Sequence, residues 1–389
     1  MNHIFINKPG NTTAIAISVN VGSRSEEDKV KGIAHFIEHM CFKVGNNKKE
    51  NQFFYRVEKY GGEINAFTDR EITCYWVKVA NEYIGEGLKV VQDLALRPIF
   101  PRKEIIKERQ VVLQELKMYK DAPKKIIHDN MNTEVFTKDS SLHYSIIGTE
   151  KTLYNINRKE MLKFYNKYYT DANMTLIMVG DVKDSFRFDK NYKNDKVFND
   201  KKNKVINPEI YEKRSNIEQA NVAIGNHIIT PNGYSKIENY FKLTLLDAIY
   251  GGGSGRLFDS VREKHHLVYG IKFFFDVYSD EAIAWYVTLG LDADKIQKAK
   301  KLILQELQRP VTQKEIDFAI SKYIGEAEIE LDDTKNVLES IAYAMKNHLD
   351  YKDFIVNYKE NIKNAAKDIN KYIKKLNFKD NILSGVIPK

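Results

Sequence analysis

Cysteine is scarce: the 389 residues include only Cys41 and Cys74. Two thiols exclude a disulfide framework, and because both sit in apolar patterns they read as buried free thiols. Long apolar runs are missing too. None reaches the roughly 20 residues that span a bilayer, and the start, MNHIFINKPGN, lacks the basic, apolar and small-residue order of a signal peptide. A cytoplasmic protein with no membrane partner is expected. There is also no dense basic block. The formal net charge is +8 and the pI near 9.0, yet the lysines are interleaved with Asp, Glu and Asn. That distribution describes a solvated surface, and no nucleic-acid partner is expected.

What remains is an ordinary globular composition, 43% hydrophobic and 29% charged, in a chain longer than one core usually supports. Two domains are the expectation. From Thr12, TTAIAISVNVGS alternates with Ile15, Ile17, Val19 and Val21 on one face, a strand. The acidic group SEED then leads into KVKGIAHFIEHMCF, whose apolar spacing and acids at the start predict a helix. GGEINAFTDREITCYWVKV reads as a Gly-Gly turn followed by one extended, aromatic-rich strand. NEYIGEGLKVVQDLAL and PRKEIIKERQVVLQELKMYKD read as helices, and NMTLIMVGDV as a core strand.

The second half repeats this order. QANVAIGNHII answers the first strand and IENYFKLTLLDAIYGG the first helix, and LVYGIKFFFDVYSDEAIAWYVTLG reads as a strand pair. The junction ALRPIFPRKEI recurs as ELQRPVTQKEI. A repeat of about 200 residues predicts an α+β fold of two homologous domains, each an antiparallel-rich sheet packed with helices. The boundaries expected are 1–185, a polar linker at 186–212, and 213–389. The chemistry is not duplicated: where the first copy has HFIEHM, the second has LTLLDAI, with no histidine.

On a helix, His35 and His39 lie one turn apart and face the same way, with Glu38 beside them. Two imidazoles on such a platform suit one zinc ion, and an adjacent carboxylate suits the base that activates water. The order H-x-x-E-H is the inverted zincin motif. A catalytic zinc needs a third protein ligand, and Glu104, Glu108 and Glu115 share a face of the long helix downstream. Spacing alone leaves these three open.

The chain resembles the pitrilysin-type (inverzincin) zinc metallopeptidases, in the smaller two-domain form similar to mitochondrial processing peptidase subunits. The resemblance covers essentially the whole length. It rests on GSRSEE, HFIEHMCFK, GGEINAFTDREITCYW, ERQVVLQEL, YYTDANMTLIMVGDV and, in the second half, GGGSGRLFDSVREKHHLVYG. It implies one zinc per chain held by His35, His39 and Glu115, with Glu108 behind the ligands and Glu38 as general base. It further implies an edge strand in which Asn65, Ala66 and Phe67 hold extended peptide, and an Arg262/Tyr269 pair that contacts substrate and oxyanion. His265 and His266 have no ligand spacing and read as structural; GGGSG at 251–255 reads as a flexible turn. The segment KVGNNKKENQ departs from the family pattern. The expected activity is endopeptidase cleavage of short unstructured peptides inside a chamber enclosed by a homodimer. A non-catalytic or regulatory subunit of the same fold, working with a partner chain, is the alternative.

Overall fold

The computed structural model describes residues 1–43, 52–182, 208–229, 231, 233–278 and 282–389. In chain order the elements are β1 (Asn2–Asn7), β2 (Thr12–Val19), α1 (Ile33–Cys41), α2 (Phe53–Glu58), β3 (Glu63–Thr68), β4 (Thr73–Ala80), α3 (Ile84–Leu96) and α4 (Arg102–Asp121). There follow α5 (Pro123–Val135), α6 (Glu150–Asn155), α7 (Arg158–Tyr168), β5 (Met174–Gly180), β6 (Glu209–Arg214), β7 (Ala220–Ile229) and α8 (Lys236–Tyr250). The chain ends with β8 (Val268–Tyr278), β9 (Ala282–Leu291), α9 (Ile296–Gln308), α10 (Gln313–Glu330), α11 (Thr334–Lys346), three short helices α12 (Lys352–Ile355), α13 (Tyr358–Ala365) and α14 (Ile369–Leu376), and β10 (Ile382–Pro388).

Two five-stranded sheets form, in the orders β1-β5-β2-β4-β3 and β6-β10-β7-β9-β8. The second is the first with every strand advanced by five, so the repeat read in the sequence is a repeat of topology. One parallel pair in each, β1 with β5 and β6 with β10, adds an edge to an otherwise antiparallel sheet. Sequence periodicity did not reveal β1, β6 or β10. Each is short or flanked by polar residues, and each is fixed by its neighbours. The expected linker lies mostly outside the described residues, and Glu209–Glu212 at its end already belong to β6.

The chain gathers into two compact units, and neither is contiguous. One takes Met1–Met118, the chain from Tyr144 through β5, and Glu330–Tyr351; the other takes Tyr119–His143, β6 through Ile329, and Lys352–Lys389. Cuts at 185 and 213 therefore place α5 and α11 with the wrong sheets. The reason lies in the strands. On β2, Ile15 and Ile17 share the face that meets α3, while Ala14, Ala16 and Ser18 face the opposite way, yet all five are fully buried. The alternation is large against small, not apolar against polar. The small face is covered by α11, whose start is tied down by Lys78 Nζ–Asp333 Oδ2 at 2.5 Å and by Lys335 over the Trp76 ring. In the second unit Ala223 and Gly225 provide the same small face on β7, and α5 covers it with Ile127, Met131 and Val135. A Cβ on Gly225 would stand 3.2 Å from the Met131 side chain and 2.3 Å from a backbone oxygen.

Two local features differ from the sequence reading. The run from Gly61 to Val79 is not one strand but the β3–β4 hairpin, turning at Asp69–Ile72, because Arg24 pairs with Glu71 inside the unit and makes a charged turn tolerable there. Moreover, the acids of SEED do not begin the helix. Glu26 and Glu27 lie between two 3₁₀ turns, Ser23–Ser25 and Asp28–Val30, Asp28 opens the second, and α1 starts only after Gly32, whose φ of 93° and close approach to the Ile147 carbonyl require glycine. No side chain at Gly32 can cap α1, and Glu26 does so from a distance. Its two oxygens accept from the Gly32 and Ala34 amides, each at 2.8 Å.

Burial nevertheless dominates at Glu26: loss of water outweighs the two amides and Lys31, raising its pKa from 4.5 to about 8. A carboxyl pKa raised in the folded state means that the unfolded chain releases its proton first as pH rises. Stability should therefore fall as pH climbs from about 4.5 to 8. Glu26→Gln, which copies the protonated form, should flatten that decline. Thermal midpoints of both proteins across the window, with parallel slopes counting against the assignment, measure it.

Candidate metal centre

Helix α1 and helix α4 meet in the first unit and bring the site together. His35 Nε2 lies 3.7 Å from Glu115 Oε2, and His39 Nε2 lies 3.5 Å from the same oxygen. The two imidazole rings stand edge to face with centroids 4.6 Å apart. One donor atom from each of the three residues falls within 4.8 Å of the others, and this is the one such group among the described residues. Ligands about 2.0–2.1 Å from a tetrahedral ion stand roughly 3.3–3.4 Å apart, so the spacing fits a zinc ion with little adjustment. Two nitrogens and one carboxylate oxygen are also the donor chemistry of a catalytic zinc that keeps a fourth position open.

The protonation of the set suits a metal. Burial, and then the neighbouring His39, push the His35 pKa down to about 3, so its imidazole is neutral. At His39 burial acts the same way, but the hydrogen bond to Glu108 and three nearby carboxylates outweigh it and raise the pKa. His39 Nδ1–H donates to Glu108 Oε1 at 2.9 Å, which fixes the tautomer and turns the Nε2 lone pair toward Glu115. Glu108 is buried, which by itself would favour its neutral form. Hydrogen bonds from His39 and Lys43 reverse that and hold it below the usual carboxylate range; Lys43 Nζ stands 2.6 Å from Glu108 Oε2. The three acids on α4 thus separate. Glu115 faces the histidines, Glu108 supports one of them, and Glu104 turns away to pair with Lys107 at 2.8 Å.

Glu38 is buried beside His35 and His39 on α1. Desolvation raises its pKa, and the hydroxyl of Thr68, donating to Oε2 at 2.8 Å, opposes the rise. Behind α1, Tyr75 Oη donates to Cys41 Sγ at 3.3 Å and lies 2.9 Å from Tyr169 Oη. Both cysteines are buried free thiols as the sequence indicated, and burial drives the Cys41 pKa up to about 12. Such a thiol is inert packing.

Among the described residues, strand β3 is the last strand of its sheet and pairs with β4 alone. Asn65, Ala66 and Phe67 therefore sit on an edge, Asn65 exposed and the other two partly so. The Ala66 amide donates to Asn65 Oδ1 at 2.8 Å and not to β4, so it points off the edge. Arg262 and Tyr269 lie in the second unit. Arg262 belongs to a π-helical turn, Phe258–Lys264, and its guanidinium covers the rings of Phe258 at 4.5 Å and Tyr269 at 5.1 Å. Tyr269 is 86% exposed. His265 and His266 are exposed and join no ligand group among the described residues. The segment that departs from the family pattern falls almost wholly at 44–51, outside the described residues.

Sequence reasoning missed three residues that shape this centre: Glu26, Lys43 and Thr68. All three stand inside quoted motifs, GSRSEE, HFIEHMCFK and INAFT. Their roles depend on contacts across elements, which no spacing encodes.

Residues 4–150 match the family described as Insulinase (Peptidase family M16), and residues 155–323 match the Peptidase M16 inactive domain. The chain is 31% identical to an uncharacterized zinc protease, YmxG, of Bacillus subtilis (strain 168) over 335 residues, covering 84% of this chain and 80% of that one. It is also 31% identical to the mitochondrial-processing peptidase subunit beta of Caenorhabditis elegans over 176 residues, 45% of this chain and 38% of that one. Among solved structures, a protease from Helicobacter pylori matches with a TM-score of 0.84 at 20% identity, covering 99% of this chain and 96% of that one, a likeness of fold. No helix among the described residues is long and apolar enough to cross a membrane. The fold, the duplicated sheets and these relatives place the chain in peptidase family M16, in its small two-domain form.

Proposed function

We propose that this chain is a cytoplasmic zinc endopeptidase that cleaves short, unstructured peptides bound in extended form, working as a homodimer that encloses them in a chamber. The observation that carries the reading is the convergence of His35 Nε2, His39 Nε2 and Glu115 Oε2 with the buried carboxylate of Glu38 beside them. Those three residues would hold one zinc per chain. Zinc, when bound, supplies Lewis acidity, making water a better nucleophile and polarising the scissile carbonyl. Glu38 takes the proton of the attacking water and passes it to the leaving amine. Its burial raises its pKa, which eases proton uptake and suits a group that must both accept and deliver. Glu108 and Lys43 hold His39 in one tautomer throughout.

Peptide would add to the free edge of β3, pairing with the backbone of Ala66 once the Asn65 side chain has swung off its amide. Backbone pairing accepts any sequence, and Phe67 adds an apolar neighbour. Tyr269 would donate to the oxyanion of the tetrahedral intermediate, and Arg262 would hold a substrate carbonyl. Stacking of Arg262 on Tyr269 keeps both side chains presented together. The alternative of a non-catalytic subunit loses force because every residue of the motif is present.

Purified protein should carry about one zinc per chain. His39→Ala should lose it, while Glu38→Gln should keep it and lose turnover by roughly a hundredfold or more. Metal analysis beside a quenched-peptide assay decides this, and wild-type turnover by Glu38→Gln would dismiss the mechanism. The dimer is tested separately. If Arg262 and Tyr269 of one copy serve the zinc of the other, mixing Glu38→Gln with Tyr269→Phe should restore partial activity through mixed dimers with one intact site. A mixture that stays inactive after demonstrated subunit exchange places the pair and the zinc of one chain in the same site.

A further inference from the structure

Glu38 is buried on α1, and among the described residues a single side-chain donor reaches it. That donor is Thr68 Oγ1, 2.8 Å from Oε2. Thr68 is also the last residue of β3, two positions beyond Ala66. Residues two apart on a strand repeat the same orientation, so the backbone of Thr68 faces the free edge as that of Ala66 does. A peptide added along this edge therefore runs from Ala66 to Thr68, and the hydroxyl of Thr68 hands the strand over to Glu38.

The position of Thr68 is held from the other side as well. Immediately after it, Asp69 and Arg70 accept backbone hydrogen bonds from Ser23 (3.2 Å) and Arg24 (2.9 Å). Gly22 permits that approach: a Cβ there would lie 2.0 Å from the Asp69 carbonyl oxygen. Arg24 pairs with Glu71, both almost without solvent exposure, and Glu71 Oε2 also lies 3.1 Å from His348 Nε2. Lys346 at the end of α11 pairs with Asp69 at 2.9 Å, and Arg70 Nη1 donates to the Tyr144 carbonyl at 3.1 Å. A turn tethered at three successive residues, Asp69, Arg70 and Glu71, has little freedom to carry Thr68 away from Glu38.

We infer that Thr68 is a positioning residue: it fixes the carboxylate of Glu38 relative to the peptide-binding edge, so that the registered peptide and the general base share one rigid strand. The inference rests on the peptidase reading above. On this view the hydroxyl does no chemistry itself. It selects one rotamer of Glu38, leaving Oε1 free for the water proton, and couples the place where the peptide is held to the place where it is cut.

Thr68→Val keeps the shape and the strand propensity and removes the donor, whereas Thr68→Ser keeps the donor. With Thr68→Val, kcat should fall roughly tenfold or more and KM should stay within about twofold, with zinc content and thermal midpoint at wild-type values. Thr68→Ser should recover most of kcat. In a Glu38→Gln background, Thr68→Val should cost nothing further, because the group it positions is already disabled. Wild-type kcat for Thr68→Val, a loss confined to KM, or an equal additional loss in the Glu38→Gln background would each overturn the inference. A readout independent of turnover is a crystal structure of Thr68→Val, in which the Glu38 side chain should leave its present position. An unmoved Glu38 overturns the inference whether or not the protein cleaves peptide, while an inactive wild type with a displaced Glu38 would instead refute only the peptidase reading.

Discussion

A sheet with two apolar faces cannot leave either one in water. In both units of this protein the second face is made of small residues, Ala14, Ala16 and Ser18 in one and Ala223 and Gly225 in the other, and each lies under a helix that the opposite half of the sequence supplies. That constraint organises the rest. It explains why α5 and α11 are exchanged and why β2 and β7 are buried on both sides. It also explains why the end of α11 is available to fix the turn that follows β3. Small side chains let a helix approach the sheet closely, and the resulting dispersion contacts and excluded water stabilise the layer without large residues on the strand side.

The centre itself is an exercise in charge balance within low dielectric. Four carboxylates, Glu38, Glu108, Glu115 and the more distant Glu26, stand around one short helix. Glu108 is neutralised by Lys43 and His39. Glu26 meets the amides at the start of α1, yet burial outweighs them and raises its pKa to about 8, so it adds little charge near neutral pH. Glu38 has one neutral donor, and Glu115 has the two imidazoles. Negative charge is thus left uncompensated mainly where a divalent cation would sit, and that imbalance is what gives the cluster affinity for one.

Much of this could be read from residue order. The helix carrying His35, Glu38 and His39, the long acidic helix and the duplicated strand order followed from periodicity, because one buried face repeats in the sequence at 3.6 or 2 residues. The choice among Glu104, Glu108 and Glu115 did not. All three share a helix face, and what separates them is which neighbour each meets: Lys107, His39 with Lys43, or the pair of imidazoles. The hairpin at Asp69–Ile72 was hidden for a related reason. Its charged turn looks like a strand continuing through polar residues until Arg24 is seen to pair with Glu71. The roles of α5 and α11 as covers were hidden because amphipathicity would say that a helix has a partner, never which partner, and neither segment was read as an element from the sequence.

The reciprocal covering also bears on what counts as a half of this molecule. A chain ending after β5 would contain all five strands of the first sheet and every residue of the metal centre. It would nevertheless expose Ala14, Ala16, Ser18 and Trp76 for want of α11, and carry α5 with no sheet to cover. The complementary fragment would have the mirror-image deficit. Gene duplication has here produced two copies in the genetic sense but not two autonomous folding units, so the copy that carries His35, His39 and Glu115 cannot be freed of the other without losing part of its own core.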